Sequence, residues 1–399
     1  MNRISTGMLY QQSIGTMLAK QAKLAHTQQQ LASGQRLLTA KDDPVAAGTA
    51  VGLDRRLAEL ERFGQNANAL QNRLGLQENA LARVGEAMAR ISELTIQASN
   101  AALGDDSRHA ISTELKTIKA GLLDLANSTD GAGRYLFGGT ADGSAPFAFG
   151  AGGVIYGGDQ TQRQVELAPD TIVTDTIPGS EIFLRLRTGD GRVDAGTLPS
   201  NTGTGLLMDF SVVDSAVYAG GSYSLRFTAP NSYEVRDAAN ALVASGAYTK
   251  GDSIAFAGVQ MRIDGDPATG DRFQIGPSTT RDIFATVQKL VDALDSNPTT
   301  AAQRTALTNN LQNSIRDIAT AQNGMIDARA GGGAQLLAID AASALREANS
   351  VTAKTTLSGL RDLDWAEAIS RYNLESTALQ AAQTVFTQMQ SASLFKLIR

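Results

Sequence analysis

Apolar residues recur every seven positions near both ends of the chain. A seven-residue repeat is typical of a helix that packs along a coiled-coil seam, a narrow row of apolar side chains facing a partner helix. The pattern therefore predicts a helical arm at each end, and two matched seams indicate that the arms meet each other or copies of themselves. The repeating residues are Tyr10, Met17, Leu24, Leu31 and Leu38 near the N-terminus, and Trp365, Tyr372, Leu379 and Phe386 near the C-terminus.

The polar positions of the arms are unusual for solvated helices. Residues 1–41 and 376–399 contain no Asp or Glu, and glutamine stands where Glu/Lys pairs are common. Burying the N-terminal seam provides about 10 kcal/mol, whereas ordering the arm costs on the order of 1 kcal/mol per residue. We therefore predict that the arms, 1–42 and 360–399, are mobile in the monomer and become ordered among partner helices; the alternative is a solvated helix at each end. The candidate assembly interface comprises the nine repeating residues and Met389, Leu394 and Leu397.

Two heptad rows, offset by three residues, predict a long coiled-coil helix after Pro44. Gly104 and the acidic residues after it interrupt the pattern and begin a second helix, so the pair is predicted to form an antiparallel hairpin. The rows are Leu53, Leu60, Ala67, Leu74, Leu81, Met88 and Thr95, and Phe63, Leu70, Gln77, Val84, Ile91 and Ala98.

Helical spacing returns after residue 279. Leu311, Ile318, Met325 and Ile339 continue a heptad row, with Gly331–Gly333 inside it. A glycine triplet either breaks a helix or lets another backbone approach closely. Because the row keeps its phase across the triplet, we expect close approach.

Between the two helical parts the apolar period changes from seven to two. Alternating residues such as Ile182, Leu184 and Leu186, with frequent glycine, predict antiparallel strands. A hairpin is expected near 134–168 and an inserted β domain at 180–278, while the Gly-rich stretch 189–205 is interpreted as a hairpin loop.

The predicted fold class is α+β. Both halves of the chain, 43–179 and 279–359, form a discontinuous long-helix coiled-coil bundle, into which the antiparallel β domain is inserted and from which the two arms extend.

Composition excludes several functions. The formal net charge is −5 and the pI about 5.2, which argues against nucleic acid as a partner. No run of 18 apolar residues is present, so no membrane span is expected, and no apolar segment near Met1 indicates a cleavable signal peptide. The chain has no cysteine, which rules out disulfides and thiol catalysis.

No set of residues suggests an active site. The two histidines, His26 and His109, are isolated on predicted helices. The stretch Asp264–Asp271 resembles a calcium loop, but Ala268 and Ile275 stand at ligand positions, so a turn between strands is the better interpretation. We predict a protein that is not an enzyme and has no catalytic residue, metal or cofactor.

Short motifs at both ends occur in an order that indicates a family. Leu31-Ala32-Ser33-Gly34-Gln35-Arg36 is followed by Ala40-Lys41-Asp42-Asp43-Pro44-Val45-Ala46-Ala47, and the back contains Asp362-Leu363-Asp364-Trp365-Ala366-Glu367-Ala368-Ile369. These motifs resemble flagellins and flagellar hook-associated proteins. The back half most resembles the FlgL (hook–filament junction, third hook-associated protein) type. Further similar segments are Arg3–Met8, Asp327–Ala334, Thr377–Ala382 and Ser393–Ile398.

The resemblance implies a structural adaptor of the bacterial flagellum that self-associates into a ring at the hook–filament junction and templates flagellin assembly. Its implied partners are copies of itself, another hook-associated protein on the hook side and flagellin on the filament side. A small export chaperone would bind the C-terminal segment, and type III export without a cleavable signal peptide would place the protein outside the cell.

Two alternatives remain at this point. A flagellin usually ends in Gln-Ala-Asn-Gln before a Leu-rich close, whereas Gln383-Thr384-Val385-Phe386 stands here. A secreted coiled-coil adhesin or enzyme would carry its active part in 180–278, which contains no histidine and no evident carboxylate pair with supporting residues.

Overall fold

The computed structural model of the protein describes residues 6–150 and 152–391. The helices within these residues are α1 Thr6–Ser33, α2 Pro44–Ala98, α3 Asp105–Ala126, α4 Ile283–Leu294, α5 Ala301–Arg361 and α6 Trp365–Ser391. The strands are β1 Phe147–Gly150, β2 Gly153–Tyr156, β3 Gln164–Ala168, β4 Thr171–Thr174, β5 Leu186–Arg187, β6 Val193–Thr197, β7 Leu206–Val212, β8 Tyr223–Ala229, β9 Ser232–Asp237, β10 Leu242–Ala247, β11 Ser253–Phe256, β12 Val259–Asp264, β13 Arg272–Pro277 and β14 Thr280–Arg281.

The chain forms two compact units. The first unit comprises Met1–Gln65 and Ala341–Arg399, and the second comprises Asn66–Asp340. Helices α2 and α5 contribute residues to both. The predicted α+β class is confirmed, because helices from both ends of the chain flank an antiparallel β region. The finer division into arms, coil and inserted domain stays a prediction.

The helical core of the second unit is built on the predicted heptad rows. Leu81, Val84, Met88 and Ile91 of α2 are each at most 2% exposed. They pack with apolar residues of three further helices, because rows spaced at seven place one continuous apolar stripe along α2. The partners in this core are Leu115 and Leu122 of α3, Val287 and Leu290 of α4, and Leu311, Ile318 and Met325 of α5.

The β region has its own core. A five-stranded sheet of order β10-β9-β8-β13-β6 and a three-stranded sheet of order β11-β12-β7 are both antiparallel throughout. Leu225, Phe227, Val235, Phe273 and Met261 fill the space between them, and each is fully buried. Period-two alternation thus places one side-chain face of each sheet inside, as expected for antiparallel strands.

One strand prediction and one loop prediction are wrong. Ser180–Leu184 is a π-helical turn rather than a strand, because Phe183 packs edge-on against Phe137 and Phe147 in the helical core, at 5.3 Å between ring centroids in each case. The stretch 189–205 is not a simple hairpin loop, since it contains β6, which pairs with β13. Tertiary packing decides both cases.

The expected close approach at the glycine triplet is also wrong for the described residues. Helix α5 runs without interruption through Gly331–Gly333. A Cβ added at any of the three positions would meet no atom within 4 Å. The glycines therefore neither break the helix nor serve packing against the described residues.

Gln77 occupies its core position because it binds a passing loop. Its side-chain amide donates to the carbonyl of Ile177 at 3.0 Å and accepts from the Ile177 N–H at 3.2 Å. Both polar atoms of a 2% exposed side chain are thereby satisfied.

A buried ion cluster fixes the same region to α2. The guanidinium of Arg73 lies 2.9 Å from the Asp130 carboxylate and 3.1 Å from that of Asp175. Arg163 joins the cluster through Asp142 at 2.7 Å. Because the Arg73 side chain is only 13% exposed, these carboxylates are its main source of solvation.

Polar contacts attach the β region to α5. The Asn309 side chain accepts from the Leu207 N–H at 2.8 Å and donates to the Gly205 carbonyl at 3.1 Å. About two helical turns further along α5, the Asp317 carboxylate accepts a hydrogen bond from the Gly189 N–H at 2.7 Å. Burial raises the pKa of Asp317 above its ordinary value.

In the part of the chain that is described, no helix is both long and apolar enough to cross a membrane.

Candidate functional site

The two terminal helices pair with each other in the first unit. The rings of Tyr10 and Phe386 lie 5.0 Å apart. Near the other end of α1, Thr27 donates to Glu375 at 2.8 Å. The start of α1 therefore lies beside the end of α6, and the two helices are antiparallel.

The predicted interface residues lie partly inside this pair. Tyr10 and Trp365 remain exposed, at 42% and 54%. The side chain of Met389 and the whole of Leu394 and Leu397 lie outside the described residues. The half-buried members are Met17, Leu24, Leu31, Leu38, Tyr372, Leu379 and Phe386.

Phe386 is half-buried within the pair. It packs on Tyr10 and lines an apolar trough together with Met17, Ala378 and Ala382. The small alanine side chains let the two helices approach along this trough. Mobility of the arms in the monomer stays a prediction.

The pair also exposes large apolar side chains that the seven-residue rows do not contain. Their exposed fractions reach 73% at Leu374. The sequence analysis did not identify these residues because they do not recur every seven positions. The feature that could have indicated them is the presence of apolar residues outside the row on a helix with few charged residues. The exposed apolar residues outside the rows are Met8, Leu18, Ile369, Leu374 and Val385, the last of which also lines the trough.

A short β-bridge joins the bases of the two arms. Gln35 pairs with Asp362, the Arg36 N–H donates to the Arg361 carbonyl at 2.7 Å, and the Leu363 N–H donates to the Gly34 carbonyl at 3.0 Å. Gly34 has φ of +70°, a conformation that favours glycine. The N-terminal motif segment therefore forms the turn that connects α1 to α2. This turn lies beside the turn that connects α5 to α6.

Side chains of the same motifs cap the helices at this joint. The Arg36 guanidinium donates to the Leu360 carbonyl at 2.9 Å, at the end of α5. Asp43 accepts from the Ala46 N–H at 2.9 Å at the start of α2, and Asp364 accepts from the Ala366 N–H at 2.9 Å at the start of α6. Each group satisfies backbone atoms that a helix end leaves free.

The charges at the joint stabilise its turns. A hydrogen bond from the Thr39 N–H, with a second from Leu38, lowers the pKa of the Asp42 carboxyl below its ordinary value. His26 lies 3.4 Å from the same carboxylate. Among the described residues no group of three His, Cys, Asp or Glu side chains is placed to hold a metal ion. The contacts of this joint therefore fix the ends of α1, α2, α5 and α6 relative to one another.

Comparison with known proteins agrees with this geometry. Residues 4–142 match the bacterial flagellin N-terminal helical region. The chain is 27% identical over 397 residues to flagellar hook-associated protein 3 of Salmonella typhimurium, with 100% of both chains covered. The crystal structure of Xanthomonas campestris FlgL is similar with a TM-score of 0.73 and 59% identity, covering 77% of this chain and 99% of that one. The flagellar junction protein FlgL from Legionella pneumophila is similar with a TM-score of 0.72 and 26% identity, covering 79% and 100%.

Proposed function

The chain belongs to the hook-associated protein 3 (FlgL) family of the flagellin superfamily, and we propose that its copies self-associate into a ring at the hook–filament junction through the paired terminal helices. The observation that carries the proposal is the exposure of large apolar side chains on the two helices of the α1–α6 pair. Leu374, at 73% exposed, and Leu18, at 60%, have no cover in the described chain.

Energetics favour burial of these side chains between copies. Each large apolar side chain that becomes fully buried stabilises an assembly by roughly 1.5–3 kcal/mol. Two helices packed along an alanine-lined trough bury little on their own, so further helices around them would add most of the stabilisation. In a ring, the α1–α6 pairs of neighbouring copies would supply these helices.

We extend the proposal to the neighbours in the flagellum. The ring would contact another hook-associated protein on the hook side and flagellin on the filament side, and would template flagellin assembly. A small chaperone would bind the C-terminal segment before export, and export would proceed without a cleavable signal peptide to the outside of the cell.

The relatives support a structural role over the alternatives. A match along the full length of flagellar hook-associated protein 3 favours that type over flagellin and over a secreted adhesin or enzyme. We therefore propose that the protein is not an enzyme and that its β region serves the assembly.

Complementation tests the proposal. The chain should restore motility to a strain that lacks its junction protein, and Leu374→Asp should abolish the rescue while leaving the free energy of unfolding within about 0.5 kcal/mol. Val213→Asp is the matched control, since Val213 is 55% exposed in the β region. Failure of the unchanged chain to enter flagella would contradict the proposed function, and full rescue by Leu374→Asp would exclude Leu374 from the interface between copies.

A further inference from the structure

Three adjacent glycines lie inside helix α5, where each of them weakens the helix. Gly331, Gly332 and Gly333 are helical, and a Cβ added at any of them would meet no atom of the described residues within 4 Å. Relative to alanine, one glycine inside a helix favours local opening by about fivefold. Three in succession therefore favour opening by on the order of 100-fold, although alanine would fit at each position.

A fourth open glycine lies beside the triplet in helix α2. The Arg329 guanidinium lies 2.6 Å from the Glu78 carboxylate, and the Gln71 amide donates to Asp340 at 3.4 Å, so α2 and α5 run antiparallel here. Gly75 lies between the two α2 residues of these contacts, and the triplet lies between the two α5 residues. A Cβ at Gly75 would also meet no described atom within 4 Å. We call Gly75 and the triplet the glycine level.

The continuous apolar core of the helices ends before the glycine level. Its nearest buried members are Ala80 in α2 and Met325 in α5. At the level itself Leu74 is buried, but Arg73 binds carboxylates and Gln77 binds a loop backbone instead of apolar neighbours. Segments with few buried apolar contacts open at low free energy. The glycine level therefore resists bending less than the core beside it.

We propose that the glycine level is a hinge at which α2 and α5 bend together. Sharp bends in helices occur at glycines, because the backbone there has no Cβ that restricts it. A rigid partner would block a bend in one helix of a pair, so a glycine in α2 beside the triplet is what a hinge requires. The inference rests on the proposed ring: a junction subunit contacts a different protein on each side, and a bend lets one chain match both.

Amide hydrogen exchange of the purified chain tests whether the level is weak. In an α-helix the N–H groups of residues 335–337 donate to the carbonyls of the triplet. Replacing all three glycines by alanine should slow exchange of these N–H groups by on the order of 100-fold, and Gly75→Ala should slow exchange in the next turn of α2 by about fivefold. Unchanged exchange at 335–337 would overturn the hinge.

Motility separates a hinge from a helix that is weak without consequence. In a strain that lacks its junction protein, the triple-alanine chain should restore motility several-fold less well than the unchanged chain, although it melts at a higher temperature. Gly85→Ala is the matched control and should restore motility fully, since Gly85 is an equally open glycine of α2 that lies beside the core residue Val84. Full motility with the triple-alanine chain would overturn the proposal.

Moving the glycines distinguishes a bend from a contact at the triplet. Ala330→Gly and Ala334→Gly are added to the triple-alanine chain, because both residues are exposed and lie directly beside the triplet. These glycines restore a hinge, so motility should return. Motility that stays low would show that bare backbone at 331–333 is needed for a contact, and would overturn the hinge. If the unchanged chain does not enter flagella, the proposed function fails, while the exchange measurement still decides whether the level opens.

Discussion

Gly34 offers a sharp test of the joint between the arms. Its φ of +70° lies in the left-handed region, where a residue with a Cβ is disfavoured by roughly 1–2 kcal/mol. A Cβ there would meet the Trp365 ring at 3.5 Å, an ordinary contact, so no clash adds to the backbone cost. Alanine also restricts the unfolded chain, which offsets about 0.5 kcal/mol. Gly34→Ala should therefore destabilise the joint by about 1 kcal/mol, or roughly fivefold in the open population.

Amide hydrogen exchange measures this opening. The N–H groups of Arg36 and Leu363, which form the bridge, should exchange about fivefold faster in Gly34→Ala. Gly15→Ala is the matched control: Gly15 lies inside α1, and an added Cβ would meet no atom of the described residues within 4 Å, so alanine should slow exchange in that helix. Unchanged or slower exchange at Arg36 and Leu363 in Gly34→Ala would refute the assigned role of the bridge.

Three further predictions concern the second unit. Arg73→Leu should lower the free energy of unfolding in urea by about 3–5 kcal/mol, because it leaves buried carboxylates without their cation; a loss below 1 kcal/mol would contradict this. For Asp130, burial raises the pKa, but hydrogen bonds from backbone N–H groups and the charge of Arg73 outweigh it and lower the pKa below 3.8. Ionised Asp130 therefore contributes to the free energy of unfolding above about pH 4, and this contribution is lost as the pH falls through the pKa of the folded state. Asp130→Asn should flatten the acid part of the plot of unfolding free energy against pH; an unchanged plot would contradict this prediction. Asn309→Leu should cost about 2 kcal/mol by leaving the Leu207 N–H unsatisfied, measured as an earlier loss of near-ultraviolet dichroism from the tyrosines of the β region; an unaltered melt would show that the contact is dispensable.

Repeating apolar positions were sufficient to predict the helices and the fold class. Rows of seven require only local periodicity, so α2 and the helical part after residue 279 could be predicted from the chain alone. The strands with regular alternation were predicted for the same reason. The turn at Ser180–Leu184 could not be, because the packing of Phe183 on Phe137 involves residues far apart in sequence.

The candidate site was predictable only in part. The seven-residue rows contain Tyr10 and Phe386, whose rings meet between α1 and α6, but not the exposed apolar residues outside the rows, such as Leu374. The roles of Gly34 and Arg36 depend on backbone atoms of residues more than 300 positions away, so no local pattern could reveal them. Gln77 is a similar case, since its partner is the backbone of Ile177.

Protection of Leu374 on assembly tests the central claim most directly. A Leu374→Cys chain has one thiol, and its reaction with a maleimide can be compared in the purified chain, in isolated flagella and in denaturant, where labelling is complete. The proposed ring predicts rapid labelling of the purified chain, because Leu374 is 73% exposed, and strong protection in isolated flagella. Equal labelling of the purified and the assembled protein would contradict the claim that the paired terminal helices are buried between copies.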